Sequence, residues 1–511
     1  MQKRMHIPIL LLTLVVVWVP LTGCSQAPAP ESKPDPTVAE IPPDPVETAP
    51  TSSEPTSGSE ADVLPVVEPP ATAISSAPQQ EPAAASPVDE PPAPPPIKGT
   101  ERVSKPVSFS VKDSLTTPSA ATEWPSWEGE EAIKSEDMRP FARDFNTFSY
   151  SSAAKLFSLG GSAGTNTLYS PASLYMGLAM LSECTAGDTR GEVLSALGMG
   201  SYTNLGGYSD RMFRWFYEDE SPAEVFMSNS IWIDKTQVDP TEALMTTLQD
   251  DYHAHAFAVD FKDPKTGDIY TGYINNATRG MLGGEAPPES SACILLNTLY
   301  FESSWQSPFS TDLTHADTFN KADGGKVTAS FMVKDILDSY AEGPGFQRTS
   351  LGFVDSYRMH LVLPTGGSTP EALLADPAFY EKVMGGEAEL AQIHLELPKF
   401  DFKVKHDMIE TQFVQGLGIK KALLWEMADF SPLRGDKLYV DKVIQETAVS
   451  VDENGCKAAA YTEINIATGG GPDMNQIKKV DMVLDRPFIF VITGSYGMPI
   501  FVGIVNEPAA A

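Results

Sequence analysis

From about Glu136 to about Pro508 apolar residues recur at two different spacings, and the spacing separates helix from strand. Over Met138–Ser158 and Ser170–Leu197 they return every three or four positions, which predicts amphipathic helices. Cys293–Phe301, Tyr357–Leu363, Gln392–Phe402 and Lys437–Val451 have the texture of strands. No second linker interrupts the pattern, so residues 136–511 read as one α+β domain of roughly 370 residues, large for a single core.

Upstream the pattern vanishes. From Ser25 to about Ser135 the chain is Pro, Ala, Glu, Ser and Thr, with runs such as Pro91-Pro92-Ala93-Pro94-Pro95-Pro96. It lacks the apolar density to offset ordering entropy, so residues 24–135 are expected to be a disordered tether. As polyproline II, about 110 residues at about 3.1 Å each would reach on the order of 300 Å. Before the tether, Lys3 and Arg4 precede an apolar run from Ile7 to Leu21 that ends in Leu21-Thr22-Gly23-Cys24. The run is short and poorly flanked for a transmembrane helix. It resembles the signal peptide and lipobox of bacterial lipoproteins. That resemblance implies removal of residues 1–23, lipidation of Cys24, and a membrane anchor facing outward. Ser25 after the cysteine, rather than Asp, suits a cell-surface or outer-membrane destination.

Composition narrows the function classes. With 68 acidic against 36 basic residues the formal charge is −32, which argues against a nucleic-acid partner because phosphate neutralisation needs clustered Lys and Arg. Setting Cys24 aside leaves Cys184, Cys293 and Cys456, an odd number that fits no disulfide framework. Gly160-Gly161-Ser162-Ala163-Gly164 matches a nucleophile elbow formally, but a helical pattern precedes it and a strand-like one follows, the reverse of what an elbow needs. His253-Ala254-His255 has no third metal ligand nearby, and no cofactor or phosphate motif emerges. Neither an enzyme nor a metal site is expected.

An ordered series of short motifs spans about 140–508. Asn166-Thr167-Leu168-Tyr169-Ser170-Pro171-Ala172-Ser173-Leu174 is followed by Thr185-Ala186-Gly187-Asp188-Thr189, then by Leu296-Asn297-Thr298-Leu299-Tyr300-Phe301-Glu302-Ser303-Ser304-Trp305 with Pro308-Phe309. Leu397-Pro398-Lys399-Phe400, Ala428-Asp429-Phe430-Ser431, Asp485-Arg486-Pro487-Phe488 and Pro499-Ile500-Phe501-Val502-Gly503 complete it. The order resembles the serpin family of protease inhibitors. The resemblance implies a serpin fold: a large central mixed sheet, further β-sheets, eight or nine helices, and an exposed reactive-centre loop, here about 453–479. It also implies a shutter under the sheet at Ser170 and Ser173, and a breach at Trp305 where the loop enters.

Glu453-Asn454-Gly455-Cys456-Lys457-Ala458-Ala459-Ala460-Tyr461-Thr462 resembles the serpin hinge. Independently of the family, side chains of a strand alternate between faces. One face here is Cys456, Ala458, Ala460, Thr462, Ile464 and Ile466, uniformly uncharged and small at its start. Such a strand can slide into a sheet and bury one side, with Gly455 supplying the bend.

The resemblance implies a race in which a serine or cysteine protease acylates the loop and is carried away before water releases it. Insertion of about fifteen residues at about 3.3 Å each moves the protease on the order of 50 Å. Counting sixteen residues from Glu453, as the family usually does, places the scissile bond at Gly469–Gly470, with Thr468 as an alternative start; a small residue there suits elastase-like or subtilisin-like enzymes. Departures from the pattern are Tyr461, whose parity is outward, Cys456 in place of Thr or Ser, whose oxidation to a bulky adduct would block insertion, and Gln445 where many members carry a shutter His. The expected protein is a monomeric suicide inhibitor without a cofactor. The alternative is a non-inhibitory member that acts as a surface binding protein or is cut as a substrate.

Overall fold

The computed structural model describes residues 135–159, 164–216, 223–354, 357–376, 378–456 and 477–509. The expected signal peptide, Cys24 and the tether lie outside these residues, as do Ala458, Ala460, Thr462, Thr468, Gly469 and Gly470.

Two sheets organise the described residues. The sheet that carries the hinge has six strands in the order Phe400–Asp407, Ile444–Val451, Gly455–Cys456, Cys293–Ser304, Ala223–Asp234, Ala254–Val259. Its outermost pair, Ala223–Asp234 with Ala254–Val259, is parallel and the other pairs are antiparallel, so the sheet is mixed. The second sheet runs from Thr167–Tyr169 through Pro499–Val505, Phe488–Thr493, Arg358–Pro364, Phe346–Gly352, Lys326–Gly343 and Glu389–Pro398 to the edge strand Lys478–Val483, with His315–Asn320 beside Lys326–Gly343. Phe488–Thr493 and Pro499–Val505 are buried at every position, which explains their unbroken apolar sequence. Eight α-helices and a π-helical segment, Tyr380–Met384, accompany the sheets among the described residues.

Each face of the hinge sheet carries a helix over part of its extent. The helix Pro171–Cys184, nearly all apolar, packs on one face. It starts where the Ser170 hydroxyl accepts from the Ser173 amide and Pro171 fixes the first turn. The helix Pro264–Ala277 lies on the other face, where Trp232 stacks on Phe257 at 4.0 Å and meets Tyr270 and Tyr273 edge-on. The strand Ile444–Val451 buries Gln445, Thr447, Val449 and Val451 on one face and leaves the alternate residues half-buried or exposed.

Three predicted elements differ from those observed. Ser170–Leu197 is two helices, Pro171–Cys184 and Gly187–Leu197, because Gly187 takes φ +52° at the break. Gln392–Phe402 is two strands in different sheets, Glu389–Pro398 and Phe400–Asp407, hinged at Lys399. Lys437–Val451 is a strand only from Ile444, since Lys437 has φ +54° and Asp441-Lys442 interrupt the apolar run.

Candidate functional site

The strand Ile444–Val451 ends in a tight turn, and the chain doubles back as Gly455–Cys456. The turn is made locally. Asp452 Oδ1 accepts from the amides of Asn454 at 2.8 Å and Gly455 at 3.3 Å, and the Asp452 amide donates to the Gly455 carbonyl at 3.0 Å. The two returning residues enter the sheet. Cys456 registers with Val451 on one side and Ser303 on the other, and Gly455 with Ser304. Among the described residues, no ladder joins Ile444–Val451 to Cys293–Ser304 except through this rung.

Only glycine fits at 455. Its φ is +157°, and a Cβ would lie 2.2 Å from the Ser303 carbonyl oxygen, 2.8 Å from Ser304 Cα and 3.0 Å from the Trp305 amide nitrogen. All three are backbone atoms that no rotamer change can move away. Cys456 is 3% exposed and faces the same way as Val451, Val449, Thr447 and Gln445, the buried alternates of their strand. That is the inward face that parity predicted. Burial of the thiol also means that an oxidant reaches Cys456 only after the rung has opened.

The turn is gripped by its neighbours. The Trp305 indole donates to the Asp452 carbonyl at 2.9 Å and the Trp305 amide to the Asn454 carbonyl at 2.8 Å. The Phe309 amide donates to the Glu453 carbonyl at 2.9 Å. Trp305 itself is fixed by stacking on Phe353, centroids 4.3 Å apart. The Glu453 carboxylate is nearly buried, and it accepts from Lys399 Nζ at 2.6 Å and from the Thr314 hydroxyl at 2.8 Å. Burial raises its pKa, but the bonds from Lys399, the backbone and Thr314 outweigh it and hold the carboxyl below its ordinary value.

Lower in the sheet, Gln445 replaces the expected His and solves the same problem differently. Its side-chain oxygen accepts from the Ser170 amide at 2.9 Å, and its NH2 donates to the Ser170 carbonyl at 2.8 Å. The Ser170 hydroxyl donates to the Ile500 carbonyl at 2.9 Å. Ser173 takes part through its amide. His406 and Thr447 both donate to the Leu168 carbonyl, at 2.9 and 3.1 Å, and burial keeps His406 neutral by lowering its pKa. Across the sheet Asn297 donates to Asn229 at 2.7 Å, while its buried Oδ1 has no partner.

The structure thus brings Glu453, Gly455, Cys456 and Trp305 into one constellation and Ser170, Ser173 and Gln445 into another. Roles for Lys399, Thr314, Phe353, Asn297 and His406 had not been read from the sequence. Lys399 carried no local signal, because its partner Glu453 is distant in sequence and the two meet only in the fold. The alternatives lose support. The helix Ser135–Leu159 precedes Gly164, the described end of the elbow-like motif, and residues 160–163 lie outside the described residues. His253 pairs with Asp210 at 2.6 Å while His255 bonds Tyr273 at 3.0 Å. No group of three potential ligands gathers for a metal among the described residues.

Comparison with known proteins agrees with this geometry. Residues 146–508 match the family model described as serpin (serine protease inhibitor). Serpin-ZX of Arabidopsis thaliana is 27% identical over 372 residues, covering 68% of this chain and 93% of the relative. The native-state crystal structure of the thermophilic serpin tengpin superposes with a TM-score of 0.63 at 26% identity, over 74% of this chain and 96% of tengpin. The Arabidopsis serpin in its native stressed conformation gives 0.64 at 24%, over 73% and 99%. With the family model matched over residues 146–508, more than half of its length, this chain belongs to the serpin family of serine protease inhibitors.

Proposed function

We propose that this serpin is a suicide inhibitor of extracellular serine or cysteine proteases, trapping elastase-like or subtilisin-like enzymes by inserting its cleaved loop into the hinge sheet. The observation that carries the reading is the Gly455–Cys456 rung, already laddered on both sides. A strand has a place to grow and a register to grow in. Each residue further into the loop is one residue back along both neighbours, so six steps from Cys456 bring Thr462 opposite Asn297 and Gln445, six steps from Ser303 and Val451. Ten steps bring Ile466 opposite Cys293, the first residue of its strand. The Cys293–Ser304 wall of the slot is as long as the uncharged inward face, Cys456 to Ile466, whereas the Ile444–Val451 wall ends seven steps along, opposite Glu463. Thr462 would arrive where the buried Asn297 Oδ1 lacks a donor, which its hydroxyl can supply.

New ladder bonds contribute about 1 kcal/mol each, and burial of Ile464 and Ile466 about 1.5–3 kcal/mol each. Together these match the stability of a typical protease, about 5–15 kcal/mol. The Gly469–Gly470 bond, the lipid anchor at Cys24 and a bacterial surface location belong to this proposal, supported by the motifs alone. Incubation with elastase, subtilisin, trypsin and papain tests it. A detergent-resistant covalent complex with an enzyme that prefers small residues, and a released peptide starting at or next to Gly470, is the expected result. Cleavage without complex by all four enzymes would leave the substrate or binding reading instead.

A further inference from the structure

Far in sequence from the hinge, four buried polar atoms without a partner gather at one place. They are Asn146 Oδ1 and Tyr150 Oη on the helix Ser135–Leu159, Arg348 Nε on the strand Phe346–Gly352, and His360 Nδ1 on the strand Arg358–Pro364. Register explains the sheet side. Arg348 pairs with Val362 and Ser350 with His360, so Arg348 and His360 are diagonal neighbours on one face. The helix side closes over them. Tyr150 stacks on Tyr380 at 5.0 Å, and Asn146 donates to the Tyr380 hydroxyl at 3.1 Å. The Arg348 charge acts on both the Tyr150 phenol and the His360 ring.

Arg348 is 6% exposed, stays charged, and has no carboxylate partner among the described residues. Its neighbour Arg358 shows what compensation looks like, with both Asp338 oxygens at 2.9 Å and the Ser350 hydroxyl at 2.8 Å. An uncompensated buried guanidinium is costly unless something pairs with it. Around it stand donors. The Tyr150 hydroxyl is free to donate, and His360 Nδ1 carries the proton when Nε2, 3.1 Å from the Thr493 hydroxyl, accepts from it. Three of the four atoms, Arg348 Nε, Tyr150 Oη and His360 Nδ1, can donate and so complement a negative ligand, whereas Asn146 Oδ1 is an acceptor and takes no part in holding one.

We propose that Arg348, Tyr150 and His360 form a binding site for one small monoanion, a carboxylate or an inorganic anion, held between the helix Ser135–Leu159 and the strands beneath it. The site is independent of inhibition, since none of its residues touches the hinge. Bound anion bridges helix and sheet and stabilises the fold by mass action. The test is thermal unfolding of the full chain in chloride, formate or acetate at constant ionic strength, against bulky gluconate, with His360 followed by NMR. The expected result is a saturable rise in melting temperature and a shift of the His360 resonances with at least one small anion. Arg348→Met should fold and lose both responses, and Tyr150→Phe should weaken the apparent affinity about tenfold, the loss of one hydrogen bond to a charged group. A rise of equal size in Arg348→Met, or unmoved His360 resonances and no rise over gluconate in the unaltered chain, would overturn the site.

Discussion

Replacing Gly455 by Ala tests whether the rung is the starting point of insertion. The added Cβ meets the Ser303 oxygen at 2.2 Å with Ser304 Cα and the Trp305 nitrogen close behind, so the variant relieves the clash only by withdrawing the rung. Withdrawal gives up two laddered residues at about 1 kcal/mol each and the burial of Cys456 at about 1 kcal/mol. Near 3 kcal/mol is a factor of roughly 10² against the entered state. A fully inserted loop keeps the same rung and meets the same clash, so insertion slows by a similar factor while deacylation, about 10 per second for a typical enzyme, is untouched. The race is then lost. Titrating a fixed amount of subtilisin should show a stoichiometry of inhibition that climbs at least tenfold in Gly455→Ala, with cleaved serpin accumulating. An unchanged stoichiometry would refute the reasoning.

Other consequences follow from the same contacts. Glu453→Gln removes the ion pair with Lys399 and should loosen the hinge by about 2 kcal/mol, read as faster hydrogen exchange over residues 452–456. Because the folded pKa of Glu453 lies below its unfolded value, its contribution is complete above the unfolded value and disappears as pH falls through the folded one. Protection factors of the unaltered hinge, taken relative to intrinsic exchange at each pH, should therefore fall on acidification toward those of Glu453→Gln, whose protection factors should be flat over the same range. Gln445→Ala orphans the buried Ser170 amide and carbonyl and should cost about 2–4 kcal/mol in urea unfolding. Thr462→Val should leave complex formation intact and lower the stability of the cleaved form, because Asn297 Oδ1 stays unpaired.

How far the sequence reached depends on what kind of information each element uses. The period-2 argument found the inward face correctly at Cys456, because alternation is a property of the strand itself. The need for glycine at 455 was visible as a bend, but its real cause, contact with the backbone of residues 303–305, comes from a strand about 150 positions away. Strand ends suffered similarly. Apolar periodicity runs through Lys399 without a break, yet the chain changes sheets there so that Lys399 can meet Glu453. Gln445 looked like a defect beside the family pattern, although its amide satisfies both backbone groups of Ser170. Long-range pairing was the missing ingredient each time.

The central claim is that the slot seen at its first rung accepts the rest of the loop once the loop is cut. Nicking the loop with any protease and then measuring thermal unfolding addresses it without reference to a physiological target. About ten new laddered residues at about 1 kcal/mol each should raise the melting temperature of the nicked chain by at least about 10 °C, with amides of residues 457–466 becoming protected from exchange. A nicked chain that melts with the intact one, without protected loop amides, would contradict the account.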